Sequence, residues 1–522
     1  MLKREISATN VLIAAAGGMI GSGWLFSPFL SAQIAGGAAL ISWIIAGIFM
    51  LLIALPLCEL GAMIPISGGM ANYPTFTHGK QVGFLFAWIS WLSYVVMTPI
   101  EIQAILQYAS HFLPILISPH SGIKLSGYGY LAAVLIMLVV VVLNSFGIKL
   151  LAECNKYASL IKFAVPAITI ISLLSIHHDS SGLNLNLHQG ATWTNIFSAL
   201  ALGGVAFGFT GFQNGLMLAG EVKNPQKNIP IAILGAVGVG FLLYFFLQLS
   251  FILAVPKSYL THGWAHLTFP GDSGPLAGLT LMLGMGWVAT LLMLDAAYSP
   301  FGTTLVYTAA TSRILYGMAA NKHLPAFLMR VNRFKIPTVT LYINFLVGAL
   351  AFLPFPGWQK MVAFLSSMSI LSYGIGPICL LALRKTQAQA IRPFKLTAAN
   401  IFCYLAFYAC NLMLIWCSFE IIWKLYLAVV IGLVINVIYQ RKKTSIFQKP
   451  LYWFFFYLTF LLLISYLSSF GGISLLRFPI DLIVLLPFSI IMLWLSQKCI
   501  VEKENLSDGA LSTIMNETEP NG

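Results

Sequence analysis

Three ionisable side chains sit inside long apolar runs, where a charge needs a partner or a task. Glu101 lies in MTPIEIQ, Asp295 in MLDAAYSPFG, and Lys162 in the apolar run that begins near Tyr157. Buried groups of this kind can hold or pass a proton, because burial and a neighbouring charge shift proton affinity separately. Two glycine-rich stretches offer a second chemistry. One reads AAAGGMIGSGWLFSP, with Gly17, Gly18, Gly21 and Gly23 ahead of Pro28. The other reads ALGGVAFGFTGFQNG, with Gly203, Gly204, Gly208, Gly211 and Gly215. Each interior glycine costs about 1 kcal/mol relative to alanine in a helix, so both stretches are expected to interrupt one. An interruption bares N–H groups at the N-terminus of a half-helix, where the dipole is positive, and leaves carbonyls free on the other side. The first suit a carboxylate and the second an ammonium, and an α-amino acid carries both. Close packing through small residues is the other reading of each cluster. Two clusters in corresponding halves of the chain favour a binding site.

The elements that must position these residues are membrane spans. The chain of 522 residues is 59% apolar and only 8% charged, against about 25% charged in an ordinary soluble domain. A span needs about 20 apolar residues, and fourteen candidates fit, the twelfth of them short (Leu425–Tyr439). The glycine clusters fall in the first, Ala8–Phe29, and the sixth, Thr194–Ala219. Glu101 falls in the third, Gln81–Leu113, about 30 Å beyond Gln81 on an ideal helix. Asp295 falls in the eighth, Leu276–Met318, about 27 Å before Arg313. These similar depths, nearer the outer face, suggest a pair of acids sharing a proton or holding a gate. Two separate acids in a hydrated outer vestibule are the alternative. Lys162 lies about 9 Å past Lys156 on an ideal helix, inside the fifth span. Snorkelling to the cytoplasmic interface competes there with a role in coupling.

Orientation follows from the Lys/Arg bias. With the N-terminus in the cytoplasm, all but Lys124, Lys257, Lys360, Lys424 and Arg477 of the 28 basic residues fall inside, and the C-terminus does too. The inner clusters are Arg330/Arg333/Lys335, Arg384/Lys385/Arg392/Lys395 and Arg441/Lys442/Lys443. Glu59, near the inner end of the second span, and Glu221, Lys223 and Lys227, after the sixth, read as cytoplasmic anchors or gates. The net charge of +13 is scattered between apolar runs, without the continuous basic stripe of a nucleic-acid binder. Cys403, Cys410 and Cys417, spaced by seven, read as small buried side chains. His120, His188 and the run His177-His178-Asp179 lie near outer loops; the run imitates a metal site but reads as solvated loop. No cofactor is expected. There is neither a GxxxxGK[ST] loop for a nucleotide nor an HExxH motif for catalytic zinc, so gradients must supply the driving force.

The motifs then point to a family. GMIGSGWLFSP at Gly18–Pro28 resembles the first-helix signature of the amino acid–polyamine–organocation permeases. FGFTGFQNGLMLAGEVKNPQKNIPIAI at Phe207–Ile233 resembles their sixth helix and the loop after it. PISGGMANY at Pro65–Tyr73 and SRILYGMAANKHLP at Ser312–Pro325 match as well, and the motifs run in order between Ala8 and Leu383. The resemblance implies an all-α integral membrane protein with a leucine-transporter-like core. That core is two inverted five-helix repeats, about 8–176 and 194–383, with helices 1 and 6 broken. The permease domain would span 1–440, two additional helices 441–498, and a mobile cytoplasmic tail 499–522. The resemblance also implies that Gly21, Ser22 and Gly23 bind a carboxylate, with the Ile20 carbonyl on the amine. Phe207, Gly208 and Phe209 would line the substrate, Phe207 also acting as an outer lid, with Thr210 and Gly211 at the second break. Tyr307 should face the same cavity. In proton-coupled relatives a lysine at the place of Lys162 stands in the position of a sodium ion. Gln213 departs from the pattern, since many relatives carry glutamate there, which puts a proton role at this place in doubt; Asn214 could still hydrogen-bond locally. PIEIQ together with DAAYSPFGT is similar to a branch that includes acidic-amino-acid/proton symporters.

These readings lead to a secondary transporter of amino acids in a cell membrane, that of a bacterial inner membrane, working by alternating access with protons as coupling ion. Its partners would be substrate, proton and lipid, with a homo-oligomer possible. A proton-independent exchanger of amino acids is the alternative on the same fold. A membrane amino acid sensor and an intramembrane enzyme are the alternatives of other classes. One charge moving through 100 mV yields about 2.3 kcal/mol, and one pH unit about 1.36 kcal/mol per proton. Either is enough to drive modest accumulation.

Overall fold

A computed structural model of the chain describes residues 4–66, 68–118, 124–146, 148–176, 192–269, 274–355, 357–440 and 448–501. Among them helices dominate, and the only β pairing is four isolated bridges. The first span is two helices, α1 (Ala8–Met19) and α2 (Gly23–Ala35), divided at Ile20–Ser22. The Ser7 hydroxyl opens α1 by accepting from the Asn10 N–H at 3.3 Å, which satisfies one of the first-turn donors. Then come α3 (Ala39–Met63), α4 (Tyr73–Ala109), α5 (Gly127–Ser145) and α6 (Ile148–Leu174). The sixth span is in three pieces, α7 (Trp193–Leu202), α8 (Val205–Gly208) and α9 (Asn214–Met217). After it run α10 (Pro225–Ala254), α11 (Pro275–Met282), α12 (Gly286–Ala320), α13 (Thr338–Ala351), α14 (Trp358–Tyr373) and α15 (Ile375–Thr386). The chain continues with α16 (Ala399–Trp416), α17 (Phe419–Gln440), α18 (Lys449–Leu467) and α19 (Ile480–Ser496).

Three spans differ from the sequence reading. α4 begins eight residues before Gln81 and bends at Gly79, whose φ of 82° only glycine tolerates easily. The eighth span is divided: α11 ends at Met282, and Gly284 with φ 74° turns the chain into α12. Apolar residues flank that turn on both sides, so hydropathy alone runs through it. The twelfth span is not short, because α17 holds 22 residues. His120, His177, His178, Asp179, His188, Arg441, Lys442, Lys443 and the tail from 502 lie outside the described residues.

Among the described residues, eight helical segments are long and apolar enough to cross a membrane. The outer surface explains the composition. Ile44, Ile48 and Leu51 on α3, and Leu427, Ile431, Val434 and Ile438 on α17, recur at helical spacing and are exposed. Water would expel such stripes, whereas lipid tails match them, and the chain is accordingly a multi-pass membrane protein. Polar side chains go inward instead: Gln248, Ser299, Thr304 and Ser366 are buried. Inside the bundle α4 lies along α12, α3 along α10, and α1 against α10 and α6. The stack of Phe197 on Trp416, with ring centroids 4.2 Å apart, ties α7 to α16. The last two helices pack against the rest of the chain, α19 on α16, and α18 on α17 and α4.

Candidate functional site

The break in the first span is built from backbone. Ile20 has φ −95° and ψ 85°, so the helical ladder stops at Met19. The carbonyls it frees are taken up by side chains from three other helices. Tyr244 of α10 donates to Met19 O at 2.7 Å, and Tyr307 of α12 donates to Gly18 O at 3.4 Å. Lys162 of α6 reaches Gly17 O at 3.4 Å and Thr303 Oγ1 at 2.7 Å. Lys162 is 4% exposed, so it braces the break and does not snorkel to an interface. Tyr307 meets the same break.

Across the gap, Ser22 caps α2. Its N–H donates to Glu101 Oε2 at 2.8 Å, and its hydroxyl accepts from Trp358 Nε1 at 2.9 Å. Glu101 can lie so close because Gly21 has no side chain, and a Cβ there would collide with Oε1. Gly23 does the same for Phe207, whose ring would stand 2.9 Å from an added Cβ. The first N–H groups of any helix lack intrahelical acceptors, and here they point into the middle of the protein.

The sixth span breaks twice. Gly204, with φ 81°, ends α7, and the chain unwinds again over residues 209–213, where Gly211 has φ 134°. Thr210 and Gly211 therefore stand in the unwound stretch, and the kink at Gly203 and Gly204 adds to it. Gln213 Oε1 holds that stretch by accepting from Gly211 N–H at 2.8 Å and Tyr373 OH at 2.9 Å. Asn214 accepts from Tyr94 OH of α4 at 2.7 Å, a long-range bond and not a local one. The two breaks meet directly, since a Cβ on Gly211 would strike the Gly18 carbonyl. Aromatic rings pack beside α2: Phe207 stands edge-on to Trp358 at 5.6 Å, and Trp358 stacks on Phe26 at 4.9 Å. On the other flank Gly208 packs against Trp43 and Tyr244, which stack at 4.9 Å, and Phe209 tilts against Trp43 at 5.9 Å.

Glu101 and Asp295 do not form a pair. Glu101 turns to Ser22, while Asp295 accepts from the Ser299 hydroxyl at 2.5 Å, and each keeps one oxygen without a partner. Neither sits in a hydrated vestibule, because both are almost wholly buried. Their common neighbour is Lys162, which lies within electrostatic reach of both. Depth along single helices placed the two acids at one level; the lateral positions that separate them are set by packing, which spacing does not encode. Trp24 Nε1, also unpartnered, lies beside Asp295 without closing a hydrogen bond.

On the side carrying Glu59, a buried clasp joins α3 to α15 and the segment after it. Arg384 gives Glu59 two hydrogen bonds, at 2.9 and 2.6 Å, Arg392 Nε stands 3.4 Å from it, and Leu396 N–H donates at 2.8 Å. The anchoring role read for Glu59 thus has its partners. Sequence reasoning missed Tyr244, Trp358 and Thr303. Tyr244 and Trp358 look like packing aromatics in apolar runs, and nothing in their neighbours signals a bond to a break more than 200 residues away.

The start of α2 offers backbone N–H groups suited to an anion, while the carbonyls of Gly17, Gly18 and Met19 are already engaged by Lys162, Tyr307 and Tyr244. Among the described residues no three His, Cys, Asp or Glu side chains gather as a metal would need. The family described as amino acid permease matches residues 6–435. Among relatives, the glutamate/serine transporter AimA of Bacillus subtilis (strain 168) is 34% identical over 97% of this chain and 96% of its own length. The aspartate-proton symporter of the same organism is 33% identical over 92% of this chain and 94% of its own. The branched-chain amino acid permease BcaP is 24% identical over 86% and 95%.

Proposed function

This chain belongs to the amino acid permease family, and from that membership we propose that it is a proton-coupled symporter of amino acids, glutamate, aspartate and serine being the first substrates to try. The fold behind this reading is a 5+5 inverted-repeat core within a permease domain of residues 1–440, followed by two further spans to make about fourteen. Both termini face the cytoplasm of a bacterial cell. The substrate carboxylate rests on Gly21, Ser22 and Gly23, and its ammonium on the Ile20 carbonyl. Phe207, Gly208, Phe209, Thr210, Gly211 and Tyr307 complete the site, and Lys162 couples it to the proton.

One observation carries the reading. A single buried ammonium, Lys162, bonds at once to the first break through Gly17 O and to α12 through Thr303. A charged ammonium holds these two parts more strongly than a neutral amine would, so deprotonation loosens them. The site changes no covalent bond and needs no nucleophile.

The test is uptake of labelled L-serine, L-glutamate and L-aspartate into liposomes containing the purified protein, with an acidic exterior. Uphill uptake should appear, collapse with a proton uncoupler, and fall at least about tenfold in Lys162→Ala, a loss of about 1.4 kcal/mol of transition-state stabilisation or more. Uptake that ignores the pH gradient and needs only a preloaded internal amino acid would replace symport by exchange.

A further inference from the structure

Glu101 occupies the spot that a substrate carboxylate would use. Its Oε2 takes the Ser22 N–H at 2.8 Å, the leading donor of α2, and its carboxylate lies flat on Gly21. It is 0% exposed, and its second oxygen, Oε1, has no hydrogen-bond partner. A helix start of this length, 13 residues, attracts one anion well. It cannot hold two carboxylates in contact, because like charges at one site force one of them to become neutral.

We propose that Glu101 is a resident occupant of the carboxylate seat, and that a substrate amino acid takes the seat only as Glu101 binds a proton and gives up the Ser22 N–H. This rests on the reading of α2 as the substrate's seat, and deepens it by naming what must leave. The exchange balances: one proton from solution joins one Glu101 oxygen, the N–H passes from Glu101 to the incoming carboxylate, and the net charge of the seat stays the same. The groups that face Glu101 are few. Lys162 approaches from α6, Tyr307 from α12 and Tyr244 from α10, while α2 and α14 present only the Ser22 backbone and hydroxyl and the Trp358 indole. Asp295 faces Lys162.

The experiment uses the full chain purified in detergent. A panel of the twenty amino acids, L-serine first, is titrated between pH 5 and 8.5 into the unmodified protein and into Glu101→Gln, which keeps the shape of the carboxylate. For the unmodified protein the dissociation constant should rise towards about tenfold per pH unit across the upper part of the range, the slope of one linked proton. In Glu101→Gln it should change by less than about twofold. A parallel measurement needs no variant: in weak buffer at pH 8, binding should draw about one proton per serine from solution. A wild-type slope that survives in Glu101→Gln assigns the proton to Lys162 or another group and overturns the proposal. Binding without proton uptake overturns it as well, even where Glu101→Gln fails to fold. If no amino acid binds either protein at any pH, the seat itself is lost along with the inference. If binding is tight but flat with pH, the seat stands and only the occupancy by Glu101 falls.

Discussion

His323 lies just beyond the end of α12, buried, with its ring 5.9 Å from that of Phe84. Burial, helped by the charge of Lys80, pushes it down to about 4 from an ordinary value near 6.5. As pH falls below about 6.5 the unfolded chain therefore takes up this proton first, and stability drains away until pH reaches about 4. The loss amounts to about 3 kcal/mol at most. The melting temperature in detergent should drop between pH 7 and pH 4.5, and His323→Phe should drop less; equal slopes would acquit the histidine. Other residues show what spacing does reveal. Lys162 announced itself because an ammonium inside an apolar run has few harmless explanations, and the glycines of the first span did so because no stable helix wants them. The partner of Glu101 stayed hidden. Its bond to Ser22 joins positions 79 apart, and it depends on the absence of a side chain at Gly21, a feature that reads only as flexibility along one strand of sequence.

At the scale of elements, the breaks were legible and the clasps were not. Glycine clusters mark where a helix must stop, so the division of the first and sixth spans could be read directly. The turn at Gly284 could not, because one glycine between two apolar helices looks like an interior residue. The Glu59 clasp could be placed only by position, since its partners come from α15 and the segment leading to Leu396. Breaking it should be costly. Arg384→Leu leaves a wholly buried carboxylate with Arg392 and one N–H, and should cost about 3 kcal/mol, at the lower end for loss of one partner of a buried ion pair. The second substitution Glu59→Met, which removes the stranded charge, should return most of it. Thermal unfolding of the two variants measures both effects, and equal stability of single and double variants would show that Glu59 is not charged there.

At the scale of the whole molecule, α18 and α19 pack on α16, α17 and α4, a place the sequence did not disclose because the family motifs end near Leu383. Tyr457 of α18 donates to Asn411 of α16 at 2.6 Å, and Asn411 donates in turn to Ser489 of α19 at 2.9 Å. A chain ending at residue 440 would leave Asn411 and the covered face of α16 bare, and should melt lower by on the order of 5 °C in detergent. Its oligomeric state on sizing should not change; a normal melt with a smaller particle would place these helices between subunits. The same region joins the base of α4 to residues far along the chain. His78 Nε2 donates to Ser496 O at 3.2 Å, and Val501 N–H donates to Thr77 O at 3.1 Å, beside the bend at Gly79. During synthesis, then, the helix that carries Glu101 leaves the ribosome early but waits for more than 400 further residues before its foot is finished. A nascent chain stalled short of residue 496 meets the cell's quality-control machinery with that foot still open.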